Sequence, residues 1–192
     1  VRNVVRALIA TVLLAAMTGL VYPLLLTGIA QVLLPSKTEG SIVSVGGEAV
    51  GSSMIGQRWT GSGWFYGRPS AIGYDASTSS GSNLGPTSRT LADDIAARGR
   101  AIIRIEGPYH PDLTIARIPV DLLTSSASGL DPDISPAAAR FEAPRIASER
   151  GIPLSQVLRL IHAHTSGATL GILGHPRVNV LELNLGLLAL RS

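Results

Sequence analysis

The sequence predicts an α+β protein: a single N-terminal transmembrane helix followed by one soluble, extracytoplasmic mixed α/β domain. Three observations lead to this. Ala7 to Leu34 is a stretch of 28 residues without a charge, and no later segment matches it. The rest of the 192-residue chain alternates helix signals with strand and turn signals, and it is long enough to bury a core. Charge is distributed asymmetrically about the apolar run, with Arg2 and Arg6 before it and no acidic residue there.

The apolar run comes first. As a helix it is about 42 Å long, against a hydrocarbon thickness of about 30 Å, so it crosses with tilt or with one end protruding. Pro23 is the expected site of a kink. The run is about twice the 7–15 residues of a signal-peptide core, and no A-x-A site ends it, so an uncleaved anchor is expected. Arg2 and Arg6 on one side, and Lys37 with Glu39 on the other, orient it by the positive-inside rule. The expected layout is residues 1–6 in the cytoplasm, 7–34 in the membrane and 35–192 outside. Ala7, Thr11, Ala15, Gly19, Pro23 and Thr27 recur every four residues and form a candidate seam where a partner's transmembrane helix approaches closely.

Next, residues 35–40 (PSKTEG) read as a linker, and Val43–Val50 as a hairpin turning at Gly46-Gly47. Residues 73–88 are almost all turn-formers. A helix is expected over Thr90–Ile105, with Thr90 as cap, although Gly99 weakens it. Ile115–Leu123 has strand composition, with Pro119 at an edge or starting position. Ser135-Pro136 starts a helix that runs to Gly151, and Pro144 is expected to break it in two. A further helix covers Leu154–Thr165. Val178–Leu187 reads as a buried strand, with a short helix as the alternative.

Composition excludes several chemistries. The chain has no cysteine, hence no disulfide and no thiolate site. Outside the anchor the charges nearly cancel and aromatics are few, which argues against nucleic-acid binding. The glycine-rich GSNLGP at 81–86 lacks the lysine of a phosphate loop, and Lys37 is the only lysine in the chain. His162 and His164 are two apart, a spacing that does not place them together on a helix; one surface and one half-buried histidine are expected. No nucleophile elbow occurs. Asp131 and Asp133 flank Pro132 as turn residues ahead of Ser135. No catalytic residue, cofactor-binding residue or metal ligand is assigned.

Six segments carry a family resemblance: GSSMIGQRW (51–59), WFYGRPSAIGYD (64–75), SGSNLGPTS (80–88), IPVDLLTSSASGLDPDISPAAA (118–139), PRIASERG (144–151) and LGHPRVNVLELNLGL (173–187). Together they resemble the C subunit of the Kdp-type potassium-transporting ATPase, over essentially the whole chain. The resemblance implies an accessory, non-catalytic subunit of a high-affinity, ATP-driven potassium importer. Its implied partners are a channel-like potassium-binding subunit, a P-type ATPase subunit that carries the phosphorylated aspartate, and a very small membrane subunit. ATP and potassium are then handled by those partners, and this chain lacks the D-K-T-G phosphorylation sequence. The family role is described as a catalytic chaperone that raises the ATP affinity of the ATPase subunit, with direct ATP contact in a ternary complex as the alternative. That role leans on a glutamine in the helix after S-P-A-A-A. Here Glu142 stands in its place, and it is the one position where a nucleotide contact comes into question.

Overall fold

The computed structural model describes residues 1–190. The chain divides into two compact units, residues 1–49 and residue 50 onward. In the first, one continuous helical rod covers Arg2–Leu33. It comprises α1 (Arg2–Ala16), a π-helical turn at Met17–Val21 and α2 (Tyr22–Leu33). None of these residues is buried. Proline has no N–H to give an α-helical ladder. The wider turn ends two residues before Pro23, and the Tyr22 N–H reaches back to the Met17 carbonyl. At the expected kink site the helix is thus continuous and changes to π-helical hydrogen bonding. After a short α3 (Pro35–Thr38) comes β1 (Ile42–Val45), which pairs with β2 (Glu48–Ser52) as the expected hairpin. Gly46 and Gly47 turn it, both at positive φ.

The second unit is a mixed α/β domain built around α6 (Pro136–Arg150). Ser135 caps α6, accepting the Ala138 N–H, and Gly151 ends it in the left-handed conformation. Pro144 does not break the helix. The carbonyl it leaves without an intrahelical donor belongs to Arg140, an exposed residue where water can substitute. Ala138, Ala139, Glu142, Ala143, Arg145, Ile146 and Ala147 are all buried, so α6 is enclosed on most of its circumference. Against it packs α7 (Leu154–Ala163), and α8 (Val180–Ala189) packs in turn against α7. Val157 and Ile161 of α7 and Leu183 and Leu187 of α8 join Phe65, Ile134 and Val178 in one core. A three-stranded antiparallel sheet, ordered β3 (Asp133–Ile134), β5 (Arg177–Asn179), β4 (Thr165–Ser166), closes one side. Its register sets Ile134 and Thr165 opposite Val178.

Several elements differ from expectation. The helix expected from Thr90 is α4 (Arg89–Glu106), capped by Ser88, whose hydroxyl accepts the Leu91 N–H. Gly99 is buried in α4, and a Cβ there would stand 2.8 Å from the Ile115 side chain, so glycine permits the 115–117 turn to approach. Ile115–Leu123 is not a strand. It forms a 3₁₀ turn (Ile115–Arg117) and the short helix α5 (Val120–Leu123), with Ile118, Leu122 and Leu123 buried. The β-branched composition there serves burial, not pairing. The Val178–Leu187 strand is confined to the first two residues. Asn179 then accepts the Glu182 N–H and starts α8, the helical alternative. The helix expected to reach Thr165 stops at Ala163, and Thr165 enters β4.

Candidate functional site

Ala7, Thr11, Ala15, Gly19, Pro23 and Thr27 lie along the Arg2–Leu33 rod, on residues exposed to the surroundings. In an α-helix a four-residue repeat advances about 40° per step around the axis. The π turn takes up extra chain at Met17–Val21 and reduces that drift at the middle of the repeat. A Cβ on Gly19 would meet nothing within 4 Å, so the position is open to a neighbour. The Thr27 hydroxyl donates to the Pro23 carbonyl at 2.8 Å, satisfying itself within the rod. The rod is long and apolar enough to cross a membrane, at about 48 Å for its 32 residues.

The second feature is a buried ionic cluster that the sequence reading did not assemble. Arg145 is fully buried, and Glu142 and Glu106 are 1% and 2% exposed. Arg145 Nε donates to Glu106 Oε1 at 2.6 Å, and its Nη2 donates to Glu142 Oε2. Its Nη1 donates to the carbonyls of Ser62 and Trp64, the latter at 2.9 Å. The guanidinium also lies over the Tyr66 ring, 4.5 Å from its centroid. Glu142 Oε2 further accepts the Tyr66 N–H at 3.0 Å. One arginine thus ties α4, α6 and the segment 62–66 together. The i,i+3 spacing of Glu142 and Arg145 was visible in the sequence; Glu106, 39 residues before Arg145, was not.

The cluster contains two carboxylates and one guanidinium. Burial pushes the Glu142 carboxyl up to about 8, against the pull of Arg145. Burial also raises Glu106, again opposed by Arg145. Oε1 of Glu142 and Oε2 of Glu106 are buried without a hydrogen-bond partner. Both residues line a cavity of about 230 Å³ beside α4. Arg98, Ala101, Ile102 and Ile105 project into it from one face of α4, joined by Leu122 and Tyr66.

Other candidate positions are structural. Asp131 Oδ1 accepts the Asp133 N–H at 3.0 Å, the turn role expected of it. Asp131 also pairs with Arg68, and Asp133 with Arg177, each at 3.1 Å. His162 is exposed and His164 half-buried, as expected, and His164 bonds the Leu160 carbonyl. The glycine-rich loop is held by its own domain: Ser80 N–H donates to the Ser128 carbonyl, and a Cβ on Gly81 would stand 2.9 Å from the Ala127 carbonyl. Among the described residues no group of three or more His, Asp or Glu side chains could hold a metal ion.

Comparison with known proteins bears on the whole chain. The KdpC family, described as the c chain of the K+-transporting ATPase, matches residues 4–189. A protein named potassium-transporting ATPase KdpC subunit from Nitratidesulfovibrio vulgaris is 52% identical over 188 residues, 96% of this chain and 93% of that one. Its namesake from Variovorax paradoxus is 52% identical over 189 residues, covering 96% and 95%. That from Koribacter versatilis is 47% identical over 188 residues, covering 97% and 94%. The match includes both the apolar rod and the mixed domain, and on this ground the chain belongs to the KdpC family of potassium-transporting ATPase subunits.

Proposed function

We propose that the chain assembles and stabilises a high-affinity, ATP-driven potassium importer, as a non-catalytic subunit anchored in a bacterial inner membrane. Its partners are a channel-like potassium-binding subunit, a P-type ATPase subunit and a very small membrane subunit. The observation that carries the assembly role is the Arg2–Leu33 rod: it is apolar along its length and none of its residues is buried. Its lateral contacts are therefore lipid or other subunits. The small residues from Ala7 to Thr27 form the seam on which a partner helix packs. Arg2 and Arg6 keep the near end in the cytoplasm, and the mixed domain stands on the outer side.

Potassium and ATP are handled by the partners in this reading. Direct ATP contact through Glu142 is the competing one. The geometry supports the first: Glu142 is 1% exposed and shares a single arginine with Glu106. A side chain enclosed in this way offers no surface to a nucleotide. The chaperone effect on ATP affinity then passes through subunit packing. The test compares membranes that make the partner subunits with and without this chain. Loss of the assembled, potassium-stimulated ATPase without it is expected. Full recovery of that complex in its absence contradicts the proposal.

A further inference from the structure

The hairpin that joins β4 to β5 carries its apolar side chains on the outside. Leu170 and Ile172 are 85% and 83% exposed, more than any other large apolar side chain described in the second unit, and Leu173 is exposed beside them. Residues 166–174 hold no charged side chain, and no acidic residue occurs between Glu149 and Glu182. Large apolar groups at a loop tip add nothing to the core, and only an apolar surrounding recovers the cost of their hydration.

The tip also satisfies its own backbone. The Thr169 N–H donates to the Leu173 carbonyl at 2.8 Å, and the Leu173 N–H donates back to the Thr169 carbonyl at 2.9 Å. The Gly171 N–H donates to the Ala168 carbonyl at 3.0 Å, and the Ile172 N–H to the Thr169 carbonyl at 3.3 Å. Leu170, Gly171 and Gly174 adopt positive φ in this turn, a conformation that costs a leucine more than a glycine. A protein surface can supply partners to open N–H groups, whereas hydrocarbon cannot, so a self-paired tip suits lipid. The base of the hairpin lies where the chain enters the domain from the rod. Asn179 Nδ2, at the end of β5, donates to the Ser53 carbonyl at 2.8 Å. Ser166 and Arg177 share a cleft with Ser53 and Met54, and Met54 is itself exposed. Between the rod's end at Leu33 and the domain's start at residue 50 the chain spans at most about 60 Å, so the domain stays close to any bilayer that holds the rod.

We propose that the 168–173 tip inserts into the interfacial layer of the phospholipid bilayer, with Leu170, Ile172 and Leu173 at the acyl boundary, as a second and reversible contact of the domain with its membrane. This rests on the rod being an anchor and not on which side of the membrane the domain stands.

The chain has no cysteine, so single nitroxide labels report on position. The full chain is placed in vesicles of phosphatidylethanolamine and phosphatidylglycerol, labelled at Ile172→Cys, at Leu20→Cys in the rod or at Thr87→Cys on an exposed loop. Collisions are read with oxygen, which enters lipid, and with a water-soluble nickel chelate. The Ile172→Cys label should meet nickel at least about fivefold less often than the Thr87→Cys label and should gain oxygen collisions. Adding Leu170→Asp, a residue type that tolerates positive φ, should return the Ile172→Cys label to the exposed value. Nickel access at Ile172→Cys with Leu20→Cys still in lipid overturns the proposal and leaves the anchor standing. Nickel access at both removes the anchor and the proposal with it. An Ile172→Cys label shielded from both reagents, or shielded only when the partner subunits are present, assigns the tip to a protein contact and also overturns it. So does a label that stays in lipid despite Leu170→Asp, because the label itself then drives insertion.

Discussion

Asn184 holds Phe65 by both of its backbone polar groups. The Phe65 N–H donates to Asn184 Oδ1 at 2.9 Å, and Asn184 Nδ2 donates to the Phe65 carbonyl at 3.0 Å. Both residues are fully buried. This clamp fixes the irregular segment 62–67, which begins in a turn and belongs to no strand, against α8. It does so next to the carbonyls that Arg145 uses.

Replacing Asn184 by leucine keeps the volume and leaves two buried backbone groups without partners. A loss of about 2–4 kcal/mol is expected. Chemical denaturation of the full chain in detergent measures it, and a loss below about 1 kcal/mol would mean that segment 62–67 is held by other contacts.

Arg145 links Glu106, Glu142 and two carbonyls from a fully buried position. Arg145→Met removes the cation and leaves the buried Glu106 and Glu142 side chains and two carbonyls without their donor, at a cost of about 3–5 kcal/mol. Lysine does not rescue, because a single ammonium cannot reproduce the guanidinium's fork of donors. The same denaturation experiment applies, and full rescue by lysine contradicts the geometry.

Glu142 makes stability depend on pH in a stated direction. Its folded pKa, about 8, lies above the ordinary carboxyl value of 4.5. The folded state therefore holds a proton that the unfolded state has released. The stability this contributes is complete below about pH 4.5 and is lost as pH rises through about 8. Glutamine has no such titration and can still accept from Arg145 and Tyr66. Glu142→Gln should gain on the native chain between pH 5 and 9, at up to about 1.4 kcal/mol per pH unit. Melting temperatures across that range check it, and parallel curves refute it.

On the rod, a large side chain in the seam should separate helices that a small one lets approach. Gly19→Leu and Ala15→Leu are each expected to reduce recovery of the assembled complex about tenfold, equivalent to roughly 1.4 kcal/mol. Leu13→Ala, on the opposite face from Thr11, should leave it unchanged. Equal recovery in all three removes the seam from the account.

The parts of the fold that were legible in the sequence are those specified locally. Ser135-Pro136 and Gly151 bound α6 by capping chemistry, and Gly46-Gly47 turn the first hairpin. Pro144 misled because the carbonyl it orphans lies on an exposed flank, a fact of position within the fold. Ile115–Leu123 misled because apolar residues in a short run serve a buried turn as well as a strand. In the tail, the Asn179 cap outweighed the two-residue alternation of VNVLELNL. The ionic cluster joins residues far apart in the chain, so only Glu142 and Arg145, one turn apart on α6, hinted at it. Glu142 also attracted notice for its place in the family pattern. Its burial gives that position a structural role.

The orientation of the anchor tests the central claim most directly. The chain has no cysteine, so Thr87→Cys, on an exposed loop of the domain, and Asn3→Cys, before the apolar run, introduce single reporters. In sealed right-side-out vesicles a membrane-impermeant maleimide should label Thr87→Cys and leave Asn3→Cys unlabelled until detergent is added. Labelling of Asn3→Cys alone would put the domain in the cytoplasm, contradict the outer-side assembly role and return ATP contact to the domain.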